Sequence, residues 1–189
     1  MDVVIASNNE HKIKEIKEIL EGKFDNLYSL AEVGIDCDPE ENGETFEANA
    51  KIKAREIAKH TACAVLADDT GLCVNALGGA PGVHSARYAG NHDHAANRAK
   101  LLDALKDQDD RSAYFETVVV LRLPDGDEIV ANGRTDGKIL AKEQGTNGFG
   151  YDVLFYSNDL GKCFGQSTDD EKNSVSHRGR ALRNLLEKL

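Results

Sequence analysis

The stretch VVIASNNEHKIKEIKEIL, residues 3–20, indicates the kind of fold that the chain adopts. Its first four residues form an unbroken apolar run, which is typical of a strand buried on both faces. The polar residues Ser7, Asn8 and Asn9 predict a turn. From Glu10 onward, apolar side chains recur at helical spacing, at Ile13, Ile16, Ile19 and Leu20. A strand, a loop and a helix in succession indicate an α/β protein.

The rest of the chain repeats this alternation of helices and strands. A helix pattern that begins near Thr45 is followed by the apolar strand Cys63–Ala67, which is predicted to end at Asp68 and Asp69. The glycine-rich residues 71–90 predict a long loop. The remaining patterns predict a helix over residues 95–105, a hairpin of two strands over 113–123 and 128–134, another strand over 151–156 and a final helix over 174–189.

These elements together indicate the architecture. Strands that alternate with helices, together with one long hairpin, predict a mixed β-sheet flanked by helices that extends into a second lobe. The length of 189 residues favours a single functional domain over residues 1–189. A chain of this size can bury roughly 70% of the surface that its unfolded form exposes, so one sizeable core is within reach.

The composition limits which partners the chain can have. Its 33 acidic and 23 basic residues give a formal net charge of −10, which disfavours a nucleic-acid polymer as a partner. No apolar run approaches the ~20 residues of a membrane span, and the first residues do not resemble a signal peptide. We therefore expect a cytoplasmic protein that has no membrane partner.

The cysteines and histidines do not form a metal-binding motif along the sequence. The four cysteines include no CxxC pair, and we interpret Cys63 and Cys73 as small buried apolar side chains. His92 and His94 are the only close pair of histidines, and no cysteine or second histidine cluster completes a tetrahedral set with them. The sequence therefore predicts no zinc site.

The first helix begins with a cation where helices favour acids. Lys12 lies in the opening turn, although the helix dipole favours negative charge there by about 0.3–1 kcal/mol. A bound phosphate would account for this, because free helix N–H groups, the polar side chains of residues 7–9 and Lys12 can all donate to one anion. A solvated lysine beside an ordinary helix cap is the alternative.

Acidic residues occur at two further places suited to chemistry. Asp68 and Asp69 close a strand that is predicted to be buried, and α/β sheets bind ligands at the carboxyl ends of their strands. A carboxylate there can hold Mg²⁺ or accept a proton from water, and an ordinary turn before Thr70 is the alternative. The acidic residues 40–44 precede the second helix, where acids are also ordinary caps, and Lys53 lies on a polar face of that helix.

Two later segments offer contacts to a flat ring and to an anion. Phe149 lies between two glycines, where the backbone can approach a planar ligand and the ring can stack on it. A core phenylalanine in a glycine-rich turn is the alternative. Lys172, His177 and Arg178 place cations around the start of the last helix, again against the helix dipole. The chain contains neither a GxGxxG fingerprint nor a Walker A motif.

Six segments follow one another in an order that resembles a known enzyme family. They are SNNEHK, ENGETF, ADDTGL, LGGAPGVHSARY, GFGYD and SHRG, at residues 7–12, 41–46, 67–72, 77–88, 148–152 and 176–179. Over almost its whole length the chain resembles the XTP/dITP pyrophosphatases of the inosine-triphosphatase-like family, which remove non-standard purine nucleotides. The family's usual residues are replaced at three positions, Ala48, Thr70 and Val153, where glutamate, serine and proline are frequent.

The resemblance implies a homodimeric, Mg²⁺-dependent enzyme with an elongated α/β fold and a cleft between two lobes. It would convert ITP, dITP or XTP to the monophosphate and pyrophosphate. Carried over by position, Glu41 and Asp69 would hold the metal, Asp69 would also be the base, and Lys53 would assist catalysis. The substrate would be bound by Ser7, Asn8, Asn9, Glu10, His11, Lys12, Thr70, Phe149, Gly150, Tyr151, Asp152, Lys172, His177 and Arg178.

Recognition of the purine requires a donor aimed at its 6-oxygen, for which Arg178 or Lys172 would serve. Adenine presents an amino group there, and two facing donors leave both unpaired at a cost of about 1–3 kcal/mol. Glu40 and Glu44 are close enough to Glu41 that any of the three is a candidate metal ligand. Two other functions stay open, a nucleotide-binding sensor without turnover and a pyrophosphatase for modified pyrimidine nucleotides.

Overall fold

The computed structural model describes all residues from Met1 to Leu189. Five α-helices are present: α1 (Glu10–Ile19), α2 (Phe46–Ile57), α3 (His94–Leu105), α4 (Asp169–Val175) and α5 (His177–Leu186). Seven strands are present: β1 (Asp2–Ile5), β2 (Asn26–Ser29), β3 (Ala64–Val74), β4 (Ser112–Arg122), β5 (Glu128–Ile139), β6 (Phe155–Ser157) and β7 (Lys162–Cys163). None of the helices is long and apolar enough to cross a membrane.

The strands form one mixed sheet in the order β2-β1-β3-β4-β5-β6-β7. Strand β1 pairs in parallel with both β2 and β3, whereas β6 pairs antiparallel with β5 and β7. The mixed sheet and its flanking helices confirm the predicted fold class. Strand β5 continues beyond its predicted end at Arg134, because its residues as far as Ile139 pair with β6.

The chain divides into two compact units. The first unit consists of Met1–Asp69, Thr117–Gly133 and Arg178–Leu189. The second unit consists of Thr70–Glu116 and Arg134–His177. Strands β3, β4 and β5 therefore contribute residues to both units.

The core of the first unit explains why the opening run of β1 is unbroken. Val3 and Ile5 pack in a cluster with apolar residues of α1 and α5, while Val4 packs in a second cluster with residues of α2. All three valine and isoleucine side chains are fully buried. Because successive residues of a strand point to opposite faces, a strand covered by helices on both faces needs apolar residues at every position.

The core of the second unit is built around phenylalanines. The ring centroids of Phe115 and Phe155 are 4.6 Å apart, and those of Phe155 and Phe164 are 5.1 Å apart, in tilted arrangements that aromatic pairs favour. Buried leucines complete this core, namely Leu72, Leu101, Leu105 and Leu154.

Strand β3 is longer than the sequence predicts. It does not end at Asp68 and Asp69 but continues through both residues to Val74. The glycine-rich segment that follows is also not a simple loop, since it contains two 3₁₀ helices, Asn75–Leu77 and Gly82–Arg87. In the sheet, β3 lies between β1 and β4. Hydrogen bonds between neighbouring strands therefore continue β3 through Asp68 and Asp69, where the local sequence pattern predicts that the strand ends.

Several short elements are missed or misplaced by the sequence pattern. Residues 151–156 were expected as a strand, but only Phe155–Ser157 is one, and Asp152–Leu154 forms a 3₁₀ turn. Strands β2 and β7 and helix α4 have no counterpart in the prediction, although Thr168 and Glu171 form a capping box at the start of α4. Elements of two to seven residues are too short for their periodicity to be distinctive.

Candidate active site

Asp68 and Asp69 lie where β3 extends past the end of β1. The last residue of β1, Ile5, is opposite Leu66 of β3, and the N–H of Ala6 donates to the Leu66 carbonyl over 2.8 Å. The two acids therefore lie at the carboxyl end of the parallel part of the sheet, which is where α/β sheets bind ligands.

Asp69 is a buried carboxylate held by an amide. Its Oδ2 accepts a hydrogen bond from Asn49 Nδ2 over 3.1 Å, and the residue is 6% exposed. Burial raises the pKa of the Asp69 carboxyl to about 6, although Lys53 and Lys12 oppose the rise. The nearby carboxylate of Glu41 adds to it. Such a group is mostly ionised at neutral pH and still accepts a proton readily, which suits a general base.

Lys53 contacts both the backbone of β3 and the side chain of Glu41. Its Nζ donates to the backbone carbonyl of Asp68 over 2.5 Å and lies 3.2 Å from Glu41 Oε2. Glu41 is half-buried, whereas the neighbouring glutamates Glu40 and Glu44 are exposed. Among these three acids, Glu41 is the one whose contacts tie it to Lys53.

Asn49 joins the segment that carries Glu41 to the end of β3. The residue is fully buried in α2, and besides donating to Asp69 it accepts the N–H of Gly43 on its Oδ1 over 2.8 Å. A Cβ atom on Gly43 would lie 2.7 Å from that oxygen, so the close approach requires glycine. We call the following residues the acid–lysine cluster: Lys12, Glu41, Asn49, Lys53, Asp68 and Asp69.

Asp68 has a different environment from Asp69. Its Oδ2 accepts from Arg178 Nη2 over 3.1 Å and from Arg178 Nε over 3.3 Å, and Lys12 Nζ lies 3.3 Å away. Arg178 also donates to Glu15 and is fully buried. Burial alone would lower the pKa of this guanidinium, but the two carboxylates raise it. The structure therefore places Arg178 in a buried ion-pair network with Glu15 and Asp68.

The start of helix α1 is capped by a side chain of the loop before it. Asn9 Oδ1 accepts from the N–H groups of His11 and Lys12, over 3.0 and 3.2 Å, and the N–H of Asn9 donates to Ser7 Oγ over 3.1 Å. The N–H groups of His11 and Lys12, which were expected to be free for an anion, are therefore satisfied by Asn9. Lys12 still supplies a positive charge for an anion. Its ammonium group lies near Asp68, and burial lowers the pKa of that group.

Asn8, another predicted residue of this loop, contacts a different segment of the first unit. Asn8 Nδ2 donates to the carbonyl of Cys37 over 3.2 Å and to Asp38 Oδ1 over 3.4 Å. Glu10 and His11 are exposed. The contact of Asn8 connects this loop with the segment that leads to Glu41.

A second cluster of predicted residues lies in the second unit. Lys172 Nζ is 2.7 Å from Asp152 Oδ2 and 4.7 Å from the centre of the Phe149 ring. The same carboxylate oxygen accepts the N–H of Phe149 over 3.0 Å. Gly150 has a positive φ of 60°, which a residue with a side chain rarely adopts. We call Phe149, Asp152 and Lys172 the aromatic–lysine cluster.

The other predicted residues of the second unit are less closely connected. Tyr151 donates its hydroxyl to the carbonyl of Ser85 over 2.7 Å, and the ring of His177 stacks on Phe115 with the centroids 4.6 Å apart. Thr70 follows the acids in β3 and is half-buried. Tyr151 and His177 are thus core-packed residues, which is the kind of contact that a motif alone does not distinguish from substrate binding.

Sequence reasoning did not assign two residues that organise the acid–lysine cluster. The sequence predicts a polar face on α2 that carries Lys53, but it assigns no role to Asn49 and does not distinguish Glu15. A signal for Asn49 exists, since it lies four residues before Lys53 and next to the buried Ala50 on α2. Nothing in the local pattern distinguishes Glu15 from the solvent-exposed acids of α1.

Comparisons with known proteins find relatives along almost the whole chain. The family model described as the Ham1 family matches residues 3–188. A Clostridium perfringens protein named dITP/XTP pyrophosphatase is 49% identical over 98% of this chain and 96% of its own length. A Bacillus subtilis protein of the same name is 43% identical over 97% of this chain and 94% of its own length.

Solved structures have the same fold. The Staphylococcus aureus Ham1 protein superposes with a TM-score of 0.87 at 42% identity, covering 100% of this chain and 97% of that one. A HAM1 protein from Coxiella burnetii superposes with a TM-score of 0.88 at 39% identity, covering 100% of this chain and 98% of that one. The mixed sheet and its helices are therefore shared along the whole chain.

Proposed function

Because the chain belongs to the Ham1 family, we propose that it hydrolyses the non-standard purine nucleoside triphosphates ITP, dITP and XTP to the nucleoside monophosphate and pyrophosphate. This reaction removes such nucleotides from the nucleotide pool. Relatives named dITP/XTP pyrophosphatase, at 43–49% identity over nearly the full chain, support the substrate class. The observation that carries the reaction type is the acid–lysine cluster, in which a buried carboxylate of raised pKa lies among lysines.

In the proposed reaction, Asp69 accepts a proton from a water molecule as the water oxygen attacks the α-phosphorus. A phosphorus–oxygen bond forms to the water oxygen. The bond from the α-phosphorus to the oxygen that bridges to the β-phosphorus breaks, and its electron pair leaves with pyrophosphate. The pKa of Asp69, raised by burial to about 6, lies close enough to neutrality for this transfer. Asn49 orients the carboxylate by donating to its Oδ2.

The lysines of the cluster would stabilise the negative charge that builds on the phosphate oxygens. The charges of Lys12 and Lys53 both lower the pKa of Asp69, so both cations lie near this carboxylate. A triphosphate bound by Ser7–Lys12 would therefore contact both lysines beside the general base Asp69. Because the Asn9 side chain already occupies two N–H groups of the helix start, binding in this loop relies on Lys12 and the polar side chains of residues 7–9.

Glu41 and Asp69 fit a divalent metal ion, which we propose to be Mg²⁺. Both offer carboxylate oxygens, the ligand type that Mg²⁺ prefers. Burial and the neighbouring charge of Glu41 disfavour the ionised form of Asp69, and a bound cation would relieve both effects. When bound, the ion would neutralise charge on the phosphate oxygens.

The aromatic–lysine cluster would recognise the base and sugar. Phe149 offers a ring face at a glycine-rich turn that includes Gly150, and the ammonium group of Lys172 lies beside that ring. We assign the contact with the purine 6-oxygen to Lys172 rather than to Arg178. Both side chains are buried, but Lys172 lies beside the Phe149 ring, whereas Arg178 pairs with Glu15 and Asp68. Thr70, Tyr151, Asp152 and His177 would line or support the nucleotide contacts.

We propose that the active form is a homodimer, as the resemblance implies. Size-exclusion chromatography with light scattering tests this. A mass of one chain at every concentration would contradict it.

The decisive experiment is a pyrophosphate-release assay on ITP, dITP, XTP, GTP, ATP and dUTP, with and without Mg²⁺. We expect rapid conversion of the first three to monophosphate, and a loss of about 10²–10⁴-fold in kcat in Asp69→Asn, the range that a lost general base produces. Asp103→Asn is the matched control, since Asp103 is an exposed acid paired with Lys106 on the surface.

Three outcomes would contradict the proposal. Binding of ITP without release of pyrophosphate would identify a sensor. Preferential hydrolysis of dUTP would identify a pyrimidine enzyme. Release of orthophosphate from ITP would place the attack at another phosphorus atom.

A further inference from the structure

The end of helix α2 and the segment before it bring three metal-ligating side chains together outside the acid–lysine cluster. Glu56 lies in the last turn of α2, and His60 follows four residues later. Cys37 belongs to the segment between β2 and α2. The sulfur of Cys37, a carboxylate oxygen of Glu56 and a ring nitrogen of His60 all lie within 4.8 Å of one another.

We propose that Cys37, Glu56 and His60 form a binding site for Zn²⁺. A thiolate, an imidazole nitrogen and a carboxylate oxygen are the three ligand types that Zn²⁺ uses in proteins, and three protein ligands with one open position are a common set. The thiol excludes Mg²⁺ and Ca²⁺ as the natural occupants, because those ions prefer oxygen ligands throughout. The site is separate from Glu41 and Asp69, and it does not depend on the proposed function.

The geometry needs only a small adjustment to hold an ion. With bond lengths of about 2.0–2.3 Å, the ligand atoms of a tetrahedral Zn²⁺ ion lie roughly 3.3–3.8 Å apart. The 4.8 Å upper limit on the separations exceeds these values by about 1.0–1.5 Å, a distance that a change of side-chain rotamer covers. His60 is exposed, and Cys37 and Glu56 are half-buried, so the side chains can turn toward the ion and the ion can enter from solvent.

The charges around the site favour a cation only in part. Lys59 Nζ donates to Glu56 Oε2, which places a positive charge beside the site. A metal ion needs only one carboxylate oxygen, and Glu56 has two. We therefore expect an exchangeable ion, not one that the fold requires.

An ion at this site would tie three segments of the first unit together. It would join the Cys37 segment to the end of α2, and the carbonyl of Cys37 already accepts from Asn8 in the loop before α1. Because a ligand that binds only the folded state stabilises it, Zn²⁺ should raise the melting temperature of the protein.

A cobalt titration of the full chain tests the proposal. The protein is stripped with a chelator, kept reduced, and supplied with excess Mg²⁺ so that hard oxygen sites are occupied. Co²⁺ is then added and the thiolate-to-cobalt charge-transfer absorption is followed, with Zn²⁺ as the displacing ion. We expect one equivalent of Co²⁺ with this absorption, its loss on addition of Zn²⁺, and a Zn²⁺-dependent rise in melting temperature.

Variants distinguish this site from adventitious binding. Cys37→Ser should abolish the charge-transfer absorption, and His60→Ala and Glu56→Gln should each weaken binding by more than about tenfold. Cys63→Ser is the control, because Cys63 is another half-buried cysteine of the first unit that lies outside the trio. Absorption that survives in Cys37→Ser, absorption lost in Cys63→Ser, or equal affinity in wild type and His60→Ala would each overturn the proposal. Circular dichroism of the metal-free variants checks that they are folded.

Discussion

Asp68 and Asp69 are neighbours in β3 with different hydrogen-bond partners. Successive strand residues point to opposite faces, and the two carboxylates accordingly meet different partners. Asp68 is neutralised by Arg178 and by Lys12, whereas Asp69 accepts a hydrogen bond from a neutral amide and is desolvated. The pKa of Asp69, raised by burial to about 6, allows its protonation to change near neutral pH.

The pH dependence of kcat/KM tests this assignment. The base must be ionised, so kcat/KM should fall as the pH drops through the Asp69 pKa, near about 6. Asn49→Ala removes a hydrogen bond that lowers this pKa and should move the acid limb to higher pH, while excess Mg²⁺ should move it lower. The control Asn184→Ala loses only a surface hydrogen bond to the Asn132 carbonyl. An acid limb that neither Asn49→Ala nor Mg²⁺ moves would exclude Asp69 as the titrating group.

The buried Arg178 predicts a large effect on stability. Arg178→Met leaves Glu15 and Asp68 buried without their cation, and we expect a loss of about 3–5 kcal/mol in the free energy of unfolding. Arg55→Met is the matched control. Arg55 makes a bidentate ion pair with Glu128, but its side chain is 58% exposed. Its loss should therefore lower the free energy of unfolding by about 1 kcal/mol or less. Urea denaturation measures both, and equal losses would contradict the role of burial.

At the scale of elements, α2 serves both the core and the acid–lysine cluster. Ala50, Ala54 and Ile57 pack against the sheet, while Asn49 and Lys53, four residues apart, reach the end of β3. The segment before α2 is held to it by the hydrogen bond from Gly43 to Asn49. The position of Glu41 therefore depends on how this segment meets the helix.

Gly43→Ala tests that dependence. The added Cβ would lie 2.7 Å from Asn49 Oδ1 and 2.8 Å from Ala48 Cβ, so the segment must move and Glu41 moves with it. Since a displacement of about 1 Å can cost 10²-fold in rate, we expect kcat/KM to fall between about tenfold and hundredfold. The melting temperature should change little, because the segment contributes few core residues. Glu44→Ala, an exposed change in the same segment, should have no effect, and a loss there would point to Glu44 as a ligand.

At the scale of the whole molecule, a negative net charge coexists with individual cations that lie inside the first unit. The net charge is −10, yet Lys12, Lys53 and Arg178 lie buried or half-buried in the first unit. Net charge therefore excludes a broad basic surface but not a local site for a triphosphate. Each unit has its own apolar core, and whether residues 1–189 act as one functional domain stays a prediction.

The core of the first unit predicts a second stability effect. Leu185 of α5 is fully buried in the cluster that includes Val3 and Ile5, so Leu185→Ala should lower the free energy of unfolding by about 2–5 kcal/mol. Leu189→Ala removes the same atoms from a residue that is 56% exposed and should cost little. Similar losses for both variants, measured by thermal or urea denaturation, would show that α5 does not anchor this core.

The sequence by itself determined the α/β class, the long elements and the candidate chemistry. Apolar residues recur at helical spacing in α1 and α2, and the motifs carry Glu41, Lys53 and Asp69 in recognisable contexts. The family followed from the order of those motifs. These are local properties, which a linear pattern can record.

Only the tertiary structure decided which groups meet. Arg178 follows Asp68 by 110 residues, and only the fold brings their side chains into an ion pair. Cys37 and His60 belong to no metal motif, yet the chain brings them together with Glu56, where the sequence predicted no zinc site. Side-chain burial, pKa shifts and ligand sets depend on distances between residues far apart in sequence, and folding alone sets those distances.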